Sequence, residues 1–186
     1  MPSHAMLTWQ LVCESRLEPM RQLCLADVSA DRSAALADEQ LRAFVVLLSA
    51  HFQGFLRDLY TECVQSLVRI MPESLRIGFE FQCFGGLKLE TGNPKWDNIR
   101  IDFDRIGLDI SQPFRTKPES ERLLTQLGLL NRARNAVAHR ENNRPDGVAI
   151  DSEHAAIWFA ACDTIARELE SVMDLHLATI IGQAPW

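Results

Sequence analysis

From Leu41 to Ile70 the chain sets an apolar residue at every third or fourth position, and this stripe leaves few folds open. Leu41, Phe44, Val45, Leu48, Phe52, Phe55, Leu59, Cys63, Leu67 and Ile70 line one side of about eight helical turns. Asp38 and Glu39 put acids at the positive end of that helix, and Met71-Pro72 closes it. A stripe this long has to be covered by other long helices. The sequence supplies a second one after Asp151 or Ser152, either of which can cap its start: Ile157, Trp158, Ala161, Ile165, Leu169, Val172, Met173 and Ile180. The expectation is an all-α fold, an antiparallel bundle of four to five helices dominated by two long helices, residues 36–70 and 151–180, that run antiparallel to one another.

The other segments fit round these two. Leu7, Leu11, Leu17, Met20, Leu23 and Leu25 mark a first helix over about 5–28, interrupted by Pro19, which predicts a kink or two short pieces. Residues 72–94 change character. Ile77, Phe79, Phe81 and Cys83 alternate ahead of Gly85-Gly86, which reads as a small β-hairpin near 77–90 or as an irregular connector. Asn93-Pro94 opens a short helix through Trp96, Ile99, Phe103 and Ile106, stopped by Gly107. A further helix runs from about Pro118 to Arg140 with Leu123, Leu124, Leu127, Leu130 and Val137 inward, and Asn142, Asn143, Pro145 and Gly147 form the turn after it.

At 186 residues one domain spanning 1–186 is the expectation. No apolar run approaches the roughly 20 residues of a membrane span, and Met1-Pro2-Ser3-His4 lacks a signal peptide's basic start, so a cytoplasmic protein is expected. The five cysteines (13, 24, 63, 83, 162) are scattered, without a C-x-x-C pair, and read as small buried hydrophobes. Net charge is −6, which argues against a broadly basic nucleic-acid surface. Arginine is nonetheless concentrated locally: Arg132, Arg134, Arg140 and Arg144 fall between Asn131 and Arg144 with Glu141 as the one acid.

Within that cluster, Arg134-Asn135-Ala136-Val137-Ala138-His139 joins a permanent cation, an amide and an imidazole in under two turns. Arginine grips phosphate with a planar fork, and histidine exchanges protons near neutral pH. Chance alone yields about 0.4 Arg-x4-His pairs in a chain of this composition, so the spacing by itself says little. The added Asn, the small residues before the His and the place at a helix end say more. With these, the segment resembles the HEPN superfamily of helical nucleotide-binding domains. Val46-Leu47-Leu48-Ser49-Ala50-His51-Phe52-Gln53-Gly54-Phe55, and Gly92-Asn93-Pro94-Lys95-Trp96-Asp97-Asn98-Ile99 running into Arg105-Ile106-Gly107, resemble bacterial HEPN nucleases in the same order. The likeness spans roughly residues 35–180.

The resemblance implies a metal-independent endoribonuclease of toxin–antitoxin or antiviral-defence type, without a cofactor, acting on RNA as a homodimer with the motif at the interface. The site would comprise Arg134, Asn135 and His139 as catalytic residues. Arg132, Arg140 and Arg144 would bind RNA by adding to the local positive field. In an ideal helix Asn135 and His139 diverge by only about 40°, but Arg134 and His139 by about 140°. Either the helix unwinds near His139 or a second copy completes the site. The plain alternative is that the three residues only cap the helix.

The chain departs from the family pattern at two places. Gln53 stands where related sequences suggest Glu, and Glu141 stands where some toxins carry Tyr. His51, His154 and His176 read as structural. Two other functions stay open: a non-catalytic helical module that binds a nucleotide or a protein partner, and the helical subunit of a two-component nucleotidyltransferase system. An antitoxin or a nucleotidyltransferase would be the protein companion.

Overall fold

A computed structural model describes residues 1–25, 34–115, 117–139 and 150–186. All regular structure among them is helical: α1 (His4–Val12), a π-turn (Cys13–Leu17), α2 (Glu18–Leu25), α3 (Ala34–Ile70), α4 (Glu73–Phe84), α5 (Lys88–Thr91), α6 (Trp96–Asp104), α7 (Ser111–Arg115), α8 (Pro118–Ala138) and α9 (Ser152–Ile181). The core lies where α1, α3, α8 and α9 meet. Phe44, Leu48, Phe52, Leu56, Leu59 and Cys63 of α3 are wholly buried against Trp158, Cys162, Ile165, Leu169 and Met173 of α9. Trp9 of α1 wedges beside Phe52 and Phe55, ring centroids 5.8 and 5.7 Å away.

The two long stripes are where the sequence places them, but the helices that carry them run in the same sense. Ser3 and His4, at the start of α1, bond Glu170 and Glu62. Trp9, one and a half turns on, meets Asp163, Phe52 and Phe55. Going from Trp9 back to Ser3, both α3 and α9 advance toward their C-termini, so both oppose α1. The expected antiparallel pairing of residues 36–70 with 151–180 is therefore corrected. Short connections reverse a chain only between successive helices. Here α8 makes the return stroke, antiparallel to α9, with Lys117 near its start ion-paired to Glu168.

Pro19 exerts its effect one turn earlier. Its ring would crowd the carbonyl a turn before it and it has no N–H to donate. The helix answers with the π-turn, in which the Glu18 N–H reaches back to Cys13 O. Residues 26–28, expected at the end of this helix, lie outside the described residues.

The segment 72–94 is neither a hairpin nor irregular. Glu73–Phe84 is helical, and its alternation has another cause. Phe79, Cys83 and Phe84 turn toward the core while Ile77 and Phe81 stand outward, 80% and 79% exposed. Apolar residues on two sides of a helix imitate a period of two. Gly85-Gly86 ends α4 instead of turning a hairpin: the Gly85 N–H closes on Phe81 O, and Gly86 takes the positive φ of 67° that side chains resist. Asp102, wholly buried on α6, accepts from the Lys88 and Leu89 N–H groups and so caps α5 from another helix.

The starts of α8 and α9 agree with the sequence, whereas the short helix expected from Asn93-Pro94 to Ile106 begins at Trp96 and ends at Asp104, and the unexpected α7 follows it. Pro118 sits in the first turn of α8, and Glu119 and Glu121 follow it. Asp151 caps α9 through the His154 N–H at 2.8 Å. The five cysteines are unpaired, and burial pushes the thiols of Cys63 and Cys162 well up. No helix among the described residues is long and apolar enough to cross a membrane.

Candidate functional site

The C-terminal end of α8 is held by amides. Asn131, 1% exposed, donates to Leu127 O (2.9 Å) on its own helix and to Pro94 O (3.1 Å) on the loop before α6. Its Oδ1 is buried without a hydrogen-bond partner. One turn on, Asn135 Oδ1 accepts from Asn93 Nδ2 at 2.6 Å and from Arg134 Nη1 at 3.3 Å. Asn98 Nδ2 donates to Asn93 O at 2.9 Å, which steadies the loop from the α6 side. From α3, Gln53 Nε2 donates to Leu89 O, and to Gly92 O at 2.8 Å. Gln53 thus does what a carboxylate could not, because an ionised Glu has no hydrogen to donate.

The Arg134 side chain is half-buried and joined to Asn135; the short Ala133 and Ala136 on either side of this pair are buried against the bundle. His139 is the C-cap, with φ −93° and ψ 6°, its backbone N–H bonded to Asn135 O at 2.9 Å. It is exposed, and its imidazole makes no hydrogen bond among the described residues. The helix therefore ends at the residue that an ideal continuation would have aimed away from Arg134. Arg132 is exposed. Arg140 and Arg144, and the turn at 142–147, lie outside the described residues.

The three catalytic candidates are accordingly neighbours at one helix end, but they are joined unequally. Asn135 holds Arg134 through its side chain and His139 only through its backbone. The structure commits the Asn135 oxygen to Arg134 and Asn93.

Asn93, Asn131 and Gln53 were missed as members of the site. Asn131 had a signal: a polar residue one turn before Asn135, directly after inward Leu130 and one turn after inward Leu127. Asn93 and Gln53 stand in the family-like segments, but nothing local marks their hydrogen-bond partners, which lie about 40 residues away in the chain.

His154 and His176 have local roles. His154 Nδ1 lies 2.8 Å from the capping Asp151, and His176 Nε2 lies 3.4 Å from Ile106 O. His51 is half-buried, and burial together with Arg16 holds its pKa below the usual imidazole value. Among the described residues, no three His, Cys, Asp or Glu side chains cluster to hold a metal ion. No family model, curated protein or solved structure matches the chain.

Proposed function

We infer that this protein is a metal-independent endoribonuclease of the HEPN type, with Arg134 and His139 in its active site. One observation carries the reading. The three segments on which the HEPN resemblance rests, around Gln53, Asn93 and Asn135, are far apart in sequence, yet side-chain hydrogen bonds link them in series at the end of α8.

The chemistry follows from the residue types. RNA brings its own nucleophile, the 2′-hydroxyl. His139 removes its proton, and attack on the adjacent phosphorus forms the new P–O bond. The bond to the 5′-oxygen breaks, and that oxygen takes a proton from a second imidazole, the His139 of another copy. The products are a 2′,3′-cyclic phosphate and a 5′-hydroxyl. Arg134, its guanidinium steadied by Asn135, meets the charge that builds on the phosphoryl oxygens. Asn135 acts as a positioning residue. Arg132, Arg140 and Arg144 add positive field for the RNA backbone.

The test is cleavage of intact RNA by wild type and His139→Ala, with end-group analysis and in EDTA. The expected result is a loss of at least about 10²-fold in the variant, cyclic-phosphate ends from wild type, and no effect of EDTA. A folded His139→Ala protein cutting at the wild-type rate would replace this reading with that of a helical module that binds a nucleotide or a protein.

A further inference from the structure

The outward side of α4 carries Ser74, Ile77, Gly78, Phe81 and Gln82 at three- and four-residue steps, all exposed and none charged. Ile77 is 80% exposed and Phe81 79%, with Leu75 at 59% beside them and Ile70 at 51% on the adjoining end of α3. On side chains of this size the exposure amounts to roughly 500 Å² of largely apolar surface per chain, most of the ~800 Å² that each partner gives a standard interface. The largest apolar patch of a small protein is commonly of this extent and often functional.

We propose that a second copy of this chain docks here, α4 against α4, with the helices antiparallel about a two-fold axis. Three features select this occupant. The first is the reciprocal fit. With the axis between positions 79 and 80, Phe81 of each copy lies over Gly78 of the other, Ile77 over Gln82, and Ser74 over Gly85. A Cβ built at Gly78 would meet nothing within 4 Å beyond the helix's own backbone, so Gly78 leaves open space over the helix for the incoming ring. Large beside small on one self-complementary face is what an isologous contact needs. The second is charge. Copies of a chain with net charge −6 repel one another, and this side of α4 carries no charge to oppose approach. The third is area, which doubles to about 1,000 Å² across the pair, the scale a specific interface has to reach.

This surface is separate from the RNA site. α4 begins beside the C-terminal end of α3, whereas α8 opposes α3 and ends near its N-terminal half. The contact thus joins whatever unit the motif end forms: monomers become dimers, and a dimer, which presents two α4 faces, closes with a second dimer into a tetramer where the two-fold axes intersect at right angles and otherwise extends into longer assemblies.

The experiment is light-scattering mass on the full chain at tens of micromolar, with cleavage measured in parallel. Phe81→Glu should lower the mass to that of the unit formed at the motif end alone, a monomer or a dimer. Gly78→Leu should do the same, although it adds apolar surface and favours the helix, because the new side chain takes the space that Phe81 needs. A strictly monomeric wild type overturns the proposal and leaves α4 to a foreign partner. So does a Gly78→Leu protein whose mass is unchanged or increased, which would mark unspecific adhesion. If Phe81→Glu does not fold, Gly78→Leu decides alone. Loss of cleavage in His139→Ala with no change in mass keeps this test distinct from that of the proposed activity.

Discussion

At the start of α1, two carboxylates are fully spent on structure. Glu170 accepts from the Ser3 N–H and hydroxyl at 2.6 Å each, and Glu62 accepts from the His4 and Ala5 N–H groups at 3.0 and 2.7 Å. These oxygens satisfy the orphan donors of a helix whose first turn is pinned to both long helices. At the end of α8, charge is treated differently. Among the described residues, Arg134 has one long bond, to a neutral amide, and His139 stands exposed with an imidazole that makes no hydrogen bond. Neutral Asn and Gln side chains do the holding there. The difference separates two uses of ionisable groups: Glu62 and Glu170 are consumed by short bonds, whereas Arg134 and His139, among the described residues, are positioned without being spent on the fold.

Four measurements break or sharpen that contrast. The largest effect should come from Glu170→Ala, which strands the buried Ser3 donors and lowers unfolding free energy by about 3 kcal/mol in urea titration. RNA cleavage per folded molecule should not change. Arg134→Lys should do the opposite, cutting cleavage by at least about 10-fold through loss of the planar fork while the melting temperature stays near wild type. If Arg134→Lys instead unfolds the protein and spares activity, the α8 end is structural and the contrast fails.

Asn93→Ala removes the 2.6 Å bond that fixes Asn135. It should reduce turnover about 3- to 10-fold, with a stability loss near 1 kcal/mol. Rescue of turnover by Asn93→Gln would mark a positioning role.

The smallest effect concerns His51. Its folded pKa lies below the free value, so the neutral ring is favoured in the fold. That stability is present above the unfolded pKa of about 6.5 and is lost as pH falls through the folded pKa. His51→Gln should therefore flatten the fall in melting temperature between pH 7.5 and 5 by a small margin. An unchanged slope would show that His51 is as well solvated folded as unfolded.

The helical stripes of α3 and α9, the caps at Pro118 and Asp151 and the Pro19 disturbance were legible because each depends on residues within a turn or two. Periodicity, a missing N–H and a side-chain acceptor act locally. The Arg134–His139 motif was legible for the same reason, and so was the end of α8 close to His139. The α4 segment was misread because local pattern could not separate an alternating strand from a helix with apolar residues on two sides. Only packing decides which side is covered: Cys83 is buried and Phe81 is bare.

The relative direction of α3 and α9 was likewise beyond the sequence, since it depends on how many helices intervene and which way each crosses. The same holds for the partners of Gln53, Asn93 and Asn131. A hydrogen bond is set by distances near 3 Å, and nothing local in the chain says which loop will come that close. The amino acids determined where helices form and which chemistry one helix end carries. Tertiary structure alone chose the neutral amides that hold that end in place, because packing brings together residues that the chain keeps apart.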